Sequence, residues 1–274
     1  MATRQSRALC SARGNNAFLG FDLLGHFKRF WTKPRAVRDD GLASFPPVPP
    51  AHLRKRVHGA EDKDSFEHIG RMISDTVFSY LKVDDGVGRF RGLDFGSGCG
   101  RVLVPLGQLC RKNSSSRSPI EWYGSDIDGE AIGWCQKNLA STGHFVVNKP
   151  MPPLPFDDGF FDFVFSISVF THIPEDMQFA WLSELRRVLK VGGTALLSTL
   201  PLELAGKTLD KDQLSHGLYY IGGGKGTQGL PKFYRDAFHS REYVEREWSR
   251  YFSIELYKER GIANQQALVL CRRV

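Results

Sequence analysis

The sequence has few features of membrane, disulfide-bonded or zinc proteins. No stretch of the 274 residues approaches the run of about 18 apolar residues that a membrane-spanning helix requires. The cysteines are odd in number and include no C-x-x-C pair; they are Cys10, Cys99, Cys110, Cys135 and Cys271. That pattern argues against a disulfide framework or a metal centre and is typical of reduced thiols. We therefore expect a cytoplasmic protein without a structural metal.

A net excess of basic residues is missing outside the N-terminal segment. The formal net charge is +7, but residues 1–57 hold 11 Lys/Arg against 3 Asp/Glu and the remainder holds 26 against 27. An enzyme acting on nucleic acid is expected to carry basic residues around its active cleft as well. The distribution therefore argues against a nucleic-acid partner.

The N-terminal segment, residues 1–57, is predicted to be a basic arm. Residues 1–16 lack acidic and aromatic side chains, which is typical of disorder and equally of an organelle transit peptide. Apolar residues at three- to four-residue steps predict a short amphipathic helix over 17–31, either packed on the main domain or in peripheral contact with a membrane. A proline-rich linker over 45–50 completes the arm.

From about residue 63 the chain alternates helical and strand patterns, which indicates an α/β fold with a mainly parallel sheet. The folded domain is predicted over 58–274, with a late insertion near 201–240. Pro105 should kink its helix or delay its start. Strands are predicted at 90–95, 120–125, 144–147, 161–168, 194–200, 252–257 and 266–271, and helices at 66–81, 99–110, 129–139, 174–190 and 240–250.

A glycine-rich turn, Asp94-Phe-Gly96-Ser-Gly98-Cys-Gly100, follows the first predicted strand. Glycine lets the backbone turn sharply and approach a ligand, and the next helix would offer free N–H groups to an anion. An NAD-type oxidoreductase would use G-x-G-x-x-G/A, whose third small residue would fall at Arg101. The spacing therefore disfavours that alternative, although the fold would be the same.

The D-x-G-x-G-x-G spacing resembles the first motif of class I S-adenosylmethionine (SAM)-dependent methyltransferases. Three further segments, between about residues 88 and 200, are similar to that family in the expected order. In the last of these segments, which ends at Gly193, Val191 replaces the usual proline. The resemblance implies a Rossmann-like, doubly wound, seven-stranded sheet that is mostly parallel with an antiparallel C-terminal strand. The further segments are Tyr123-Gly-Ser-Asp126-Ile127-Asp128, Leu154-Pro-Phe-Asp-Asp-Gly-Phe-Phe-Asp162 and Leu185-Arg-Arg-Val-Leu-Lys-Val-Gly-Gly193.

The same resemblance implies a SAM site. Asp126 corresponds to the acid that binds the ribose hydroxyls. Asn148 stands where many relatives have an acid that contacts the adenine amino group, and its amide oxygen can accept that bond. Asp128 is a candidate ligand contact but a better helix N-cap. The remaining predicted cofactor-binding residues, most of them around the methionine portion, are Asp94, Gly96, Ser97, Gly98, Gly100, Ile127 and Ser166.

Candidate residues for the acceptor side lie further along the chain. His172, predicted at the carboxyl edge of the fourth strand, is either a general base or a residue that only shapes the pocket. Tyr234, His239 and Tyr243 are candidates for substrate binding, although they could equally form core. The segment Gly222–Thr227 lacks Walker spacing and is interpreted as a mobile lid or a plain loop.

The sequence lacks two motifs of nucleic-acid methyltransferases, which limits the classes of acceptor molecule. The chain has no Pro-Cys pair, which cytosine-C5 methyltransferases use, and Ser166-Ile-Ser-Val169 replaces the Asp/Asn-Pro-Pro-Tyr/Phe of enzymes that methylate base amines. Both absences favour a small-molecule, lipid or glycan acceptor. The other alternative, a non-catalytic SAM-fold binding module that holds a partner through the basic arm, stays open.

Overall fold

The computed structural model describes residues 47–83, 88–113, 119–205, 209, 211–221 and 231–274. The predictions for residues 1–16 and 17–31, for the start of the proline-rich linker and for Gly222–Thr227 lie outside the described residues.

Helices and strands alternate along the described chain. No helix in these described ranges is long and apolar enough to span a bilayer. The helices are α1 (Ala51–His58), α2 (Lys63–Tyr80), α3 (Leu103–Asn113), α4 (Gly129–Asn138), α5 (Glu175–Val188), α6 (Lys211–His216) and α7 (Arg241–Glu247), with 3-10 turns at Leu202–Ala205 and Trp248–Arg250. The strands are β1 (Phe90–Phe95), β2 (Ile120–Asp126), β3 (His144–Val147), β4 (Phe161–Ser166), β5 (Leu189–Pro201), β6 (Leu218–Ile221), β7 (Asp236–His239), β8 (Ser253–Ile262) and β9 (Gln266–Arg272).

The strands form one sheet whose parallel part has the order β3-β2-β1-β4-β5. Strand β9 joins β5 antiparallel, with Leu196 opposite Leu270, and β8 pairs with the outer side of β9. These seven strands confirm the predicted mostly parallel sheet with its antiparallel C-terminal strand. The strand order reverses between β1 and β4, and ligands bind at such a switch point beyond the carboxyl ends of the strands.

The sheet is covered on both faces. Along β4, Phe163 and Phe165 belong to one apolar cluster and Val164 to the other, as expected when successive side chains point to opposite faces. Helices α1 to α4 contribute to the first cluster and α5 and α7 to the second. The apolar side chains of α5 that are buried are Met177, Trp181, Leu182, Leu185 and Val188. This double cover explains why the central strands are almost continuously apolar.

Two parts of the chain fold where no element was expected. Residues 51–57, assigned to the arm, form α1 together with His58, and Leu53 of this helix is 2% exposed in the core. The packed structure therefore begins about seven residues before the expected boundary at 58. The insertion near 201–240 contains the hairpin β6–β7, which extends the end of β5 by pairing Leu200 with Phe238.

Proline and glycine set two element boundaries. Helix α3 begins at Leu103, so Pro105 lies in its first turn, where a missing N–H costs no helical hydrogen bond. The delayed start was one of the two expected outcomes. Strand β5 was expected from 194 but begins at Leu189, directly after α5, with a register shift against β4 that absorbs Gly192 and Gly193.

Candidate functional site

The turn after β1 is built from glycines whose conformations disfavour side chains. The φ angles of Gly96, Gly98 and Gly100 are +86°, +52° and +80°. A Cβ on Gly96 would lie 2.2 Å from Cγ2 of Val169, and one on Gly98 would lie 2.5 Å from Cγ2 of Val57. Glycine alone fits both the angles and the space. The turn therefore presents bare backbone at the switch point.

The amides of this turn are bonded to β2. The N–H groups of Gly96 and Ser97 both donate to the carbonyl of Ser125, at 2.8 and 3.0 Å. The N–H of Gly98 donates to Oδ2 of Asp126 at 2.8 Å. These three amides are therefore bonded within the protein, and this part of the turn offers a ligand shape and space.

Asp126, at the tip of β2, holds this arrangement together. Its Oδ1 accepts the N–H of Asp128 at 2.8 Å, while its Oδ2 accepts that of Gly98. Burial raises the pKa of the Asp126 carboxyl, and the two backbone donors oppose that shift. A carboxylate has about four lone-pair sites, so Asp126 can accept further hydrogen bonds from a ligand.

Asp128 is a helix cap, as the sequence indicated. Its Oδ1 accepts the N–H groups of Glu130 and Ala131, each at 3.1 Å. The Arg56 guanidinium, from α1, lies 3.0 Å from Asp128 and 2.8 Å from Glu130. Helix α1 is thereby attached to the start of α4 beside the glycine turn.

A cavity of about 480 Å³ opens at this end of the sheet. Gly100, Ser166, His172, His239 and Tyr243 are not part of its wall as the described residues define it. Eight other predicted site residues do line it: Asp94, Gly96, Ser97, Gly98, Asp126, Ile127, Asn148 and Tyr234.

Several polar groups of the wall have atoms without a protein partner among the described residues, and Asp94 and Asn148 are two of them. Asp94 is 3% exposed and no hydrogen bond to its carboxyl group is found there. Burial, together with the nearby charge of Asp126, raises the pKa of Asp94 well above its usual range. Asn148 donates from Nδ2 to the carbonyl of Lys149 at 2.8 Å, which leaves its buried Oδ1 unbonded. Both groups are available to a ligand.

Gly100 and Ser166 lie behind the wall. A Cβ on Gly100 would approach Cδ1 of Leu139 to 2.8 Å, so this glycine lets α4 pack against the turn. Ser166 is fully buried at the end of β4, and its Oγ has no partner within the described chain. The cavity is lined instead by the next residues, 167–169.

His172 lies next to a wall residue. Its ring stacks on Tyr234 with a centroid distance of 4.1 Å. Its Nδ1 is 3.0 Å from the carbonyl of Arg235 and 3.5 Å from Oδ1 of Asp236. Since a carbonyl only accepts, Nδ1 carries the proton and the lone pair of the neutral ring is on Nε2. A general base must contact the acceptor directly. His172 lies behind Tyr234 and is not part of the cavity wall, so this arrangement does not give it that contact.

The predicted substrate contacts of His239 and Tyr243 are wrong, because both side chains are core. Each is 0% exposed. His239 Nε2 bonds Oε1 of Gln178 at 2.9 Å, and the Tyr243 hydroxyl donates to Glu175 at 2.6 Å. Both bonds join the insertion and α7 to the start of α5. The sequence alone could not show whether the aromatic and histidine side chains of this region contact a substrate or belong to the core.

Several wall residues were not predicted. Met177 and Trp181, which are buried on α5, also line the cavity. Phe233 lines it next to Tyr234. Arg101 was considered only as a mismatch to a dinucleotide motif. Its position directly after the third glycine was the one signal that could have identified it.

Comparison with known proteins gives a family match for the centre of the chain. Residues 93–197 match a family model described as a methyltransferase domain. This range begins in β1, ends in β5 and includes the glycine turn, Asp126 and Asn148.

Solved structures share the fold at low identity. A SAM-dependent methyltransferase from Methanosarcina mazei is 21% identical, with a TM-score of 0.52 over 72% of this chain and 96% of that one. The glycopeptide N-methyltransferase MtfA, in complex with SAM, is 16% identical, with a TM-score of 0.52 over 75% and 94%. Magnesium protoporphyrin IX methyltransferase (ChlM) from Synechocystis PCC 6803, with bound SAH, is 21% identical, with a TM-score of 0.51 over 76% and 86%.

Proposed function

We propose, from the premise that this chain carries a class I SAM-dependent methyltransferase domain, that the protein transfers the SAM methyl group to a small-molecule, lipid or glycan acceptor in the cavity beyond β1 and β4. The observation that carries the proposal is the joining of the glycine turn to Asp126, which brings the bare backbone and the strand-tip acid into one wall.

The residues of the wall fit SAM. The unbonded Oδ1 of Asn148 suits the adenine amino group, and the unbonded carboxyl of Asp94 suits the ammonium group of the methionine portion. Asp126 keeps lone pairs for the ribose hydroxyls. Gly96, Ser97, Gly98 and Ile127 would supply the remaining contacts, whereas Gly100 and Ser166 support the wall from behind.

When bound, SAM supplies a methyl carbon that is already activated by the sulfonium. The protein then needs to orient the acceptor and exclude water, which can supply much of the rate acceleration. Val169, Ile173 and Phe233 form an apolar part of the wall suited to that task. Their side chains offer a carbon-rich or aromatic acceptor a dry surface.

Tyr234 and His172 act together on the acceptor side in this proposal. Burial raises the pKa of the Tyr234 phenol, so it stays protonated near neutral pH and can donate a hydrogen bond to the acceptor. His172 holds the ring of Tyr234 by stacking and is thus a positioning residue rather than the general base.

The acceptor class is supported by three observations. An enzyme that acts on nucleic acid is expected to have an excess of basic residues, and residues 58–274 have no such excess. Phe233, Ile173, Met177 and Trp181 give the cavity an apolar side. The named acceptors of two proteins with the same fold are a glycopeptide and a porphyrin.

The test is transfer of labelled methyl from SAM in fractionated host metabolites, lipids and glycans. We expect protein-dependent label in one of these fractions, and loss of that label with the Asp126→Ala variant. Binding of S-adenosylhomocysteine (SAH) without label in any fraction would contradict the proposal and favour a non-catalytic binding module.

A further inference from the structure

Arg101 is a buried cation in the wall of the cavity. It follows the third glycine of the turn and is only 8% exposed. Burial lowers the pKa of its guanidinium, although arginine stays charged at neutral pH. A buried charge is costly unless a group of opposite charge compensates it.

The protein leaves most of this guanidinium unbonded. Nη1 donates to Nδ1 of His58 at 3.2 Å, while the buried Nε has no partner. Within the described chain no carboxylate lies at ion-pair distance from Arg101. A guanidinium has five N–H donors, so several remain for a ligand.

His58 does not compensate the charge. Burial, followed by the proximity of Arg101, lowers the pKa of His58 to about 4, so its ring is neutral at physiological pH. A neutral ring that accepts at Nδ1 carries its proton on Nε2, which faces Oγ of Ser65 at 2.6 Å. His58 therefore orients Arg101 without neutralising it.

A second arginine of the same wall shows the contrast. Arg56 bonds Asp128 at 3.0 Å and Glu130 at 2.8 Å, so its charge is compensated by the protein. Asp94 lines the same wall, and after the larger effect of burial the charges of Asp94 and Arg101 each shift the pKa of the other group. At the end of the cavity next to the glycine turn, the carboxyl group of Asp94 has no hydrogen bond and the guanidinium of Arg101 has only one among the described residues.

A guanidinium and a carboxyl group in one cavity wall, both left without full protein partners, complement the carboxylate and the ammonium of an α-amino acid. The methionine portion of SAM carries an ammonium and a carboxylate on the same carbon. We propose that Arg101 binds that carboxylate while Asp94 binds the ammonium, so that Arg101 makes the site selective for a cofactor with an intact amino-acid end. This inference rests on the proposed function, because it requires SAM in this cavity.

The experiment is calorimetric titration with SAH and with its decarboxylated analogue, which keeps the amine. For the unmodified protein we expect about tenfold to hundredfold weaker binding of the analogue, the range for losing a hydrogen bond between charged groups. In Arg101→Met the two ligands should bind within about threefold of each other. Arg101→Lys keeps the cation without the planar fork and should give an intermediate ratio.

Arg56→Met is the matched control, because it removes another wall arginine whose charge is already paired. It should retain the preference for SAH over the analogue, even if both bind more weakly. Thermal unfolding of each variant shows whether it is folded, and the comparison of the two ligands on the unmodified protein needs no variant.

The outcomes separate this inference from the proposed function. If SAH itself does not bind the unmodified protein, the proposed function fails. If SAH binds but the unmodified protein does not distinguish it from the analogue, or Arg101→Met keeps the distinction, the assignment of Arg101 is overturned and the cofactor site stands.

Discussion

The N–H of Gly98 donates a 2.8 Å hydrogen bond to Oδ2 of Asp126, and this bond joins the turn after β1 to the tip of β2. Oδ1 of the same carboxylate accepts the N–H of Asp128. Asp126 therefore shapes the cavity wall in addition to lining it. A change at Asp126 should affect both the fold of the turn and the binding of the cofactor.

Asp126→Ala leaves the N–H groups of Gly98 and Asp128 without their acceptors. We expect SAH affinity to fall by about tenfold or more, because the proposed contact with the ribose is also removed, and the free energy of unfolding to fall by about 1–3 kcal/mol. Calorimetry and urea unfolding measure the two effects.

Asp128→Ala is the control for that variant, since Asp128 caps α4 and pairs with Arg56. Loss of the cap should cost about 0.5–2 kcal/mol of stability, with a smaller loss of SAH affinity than in Asp126→Ala. Equal affinity losses in the two variants would contradict the special role of Asp126.

Gly98→Ala should damage the site by two separable effects. The new Cβ would lie 2.5 Å from Cγ2 of Val57, and a φ of +52° is unfavourable for alanine by about 1–2 kcal/mol. Adding Val57→Ala removes the clash but not the backbone strain. We therefore expect the double variant to recover part of the stability and SAH affinity lost in Gly98→Ala. Full recovery, or none, in paired calorimetric and unfolding measurements would refute this division.

Local sequence patterns predicted most of the parallel sheet and the glycine turn. Strands such as β4 are identified by continuous apolar sequence because helices cover both faces of the sheet, and the turn before α3 is identified by glycine spacing. Asp128 could be assigned as a cap because a short carboxylate before a helical run has a local partner in the following N–H groups.

Long-range contacts decide the features that sequence did not predict. Helix α1 is stabilised by Leu53, which is buried in the core next to Cys99, and by Arg56, which pairs with Asp128 at the start of α4. The two residues of each pair are more than 40 positions apart. The burial of His239 and Tyr243 depends on partners in α5, Gln178 and Glu175. A local pattern carries no information about such partners, so candidate ligand contacts and core residues looked alike.

Asn148 should select the adenine base through its unbonded Oδ1. An inosine analogue of SAH has an oxygen in place of the amino group and cannot donate to that atom. The unmodified protein should prefer SAH by about two- to tenfold, the range for a neutral hydrogen bond, and Asn148→Ala should lose that preference. Calorimetry with the two nucleosides measures the ratio. A preference that survives in Asn148→Ala would assign base selection to other residues.

Tyr243→Phe tests the structural role of a residue that sequence had assigned to substrate. The change removes only the hydroxyl that donates to Glu175 at 2.6 Å. We expect the free energy of unfolding to fall by about 1–2 kcal/mol, with SAH affinity unchanged within about twofold. The converse result, intact stability with weaker SAH binding, would return Tyr243 to the binding site.

His239 should make the protein less stable in acid. Burial lowers its pKa from 6.5 to about 3 in the folded state. The unfolded chain therefore binds this proton more readily, so the stabilising contribution is complete above pH 6.5 and is lost as the pH falls from 6.5 towards 3. Well inside that window the loss is about 1.4 kcal/mol per pH unit.

His239→Asn removes that titration while keeping a donor for Gln178. The variant should be less stable than the unmodified protein at pH 7, because the core packing changes, but the difference should shrink as the pH falls from 6.5. His58, whose pKa burial also lowers, to about 4, titrates in both proteins, so the difference between their unfolding curves reports on His239 alone. Unfolding free energies measured in urea at several pH values test this. Parallel dependences on pH for the two proteins would mean that His239 is not held neutral by burial.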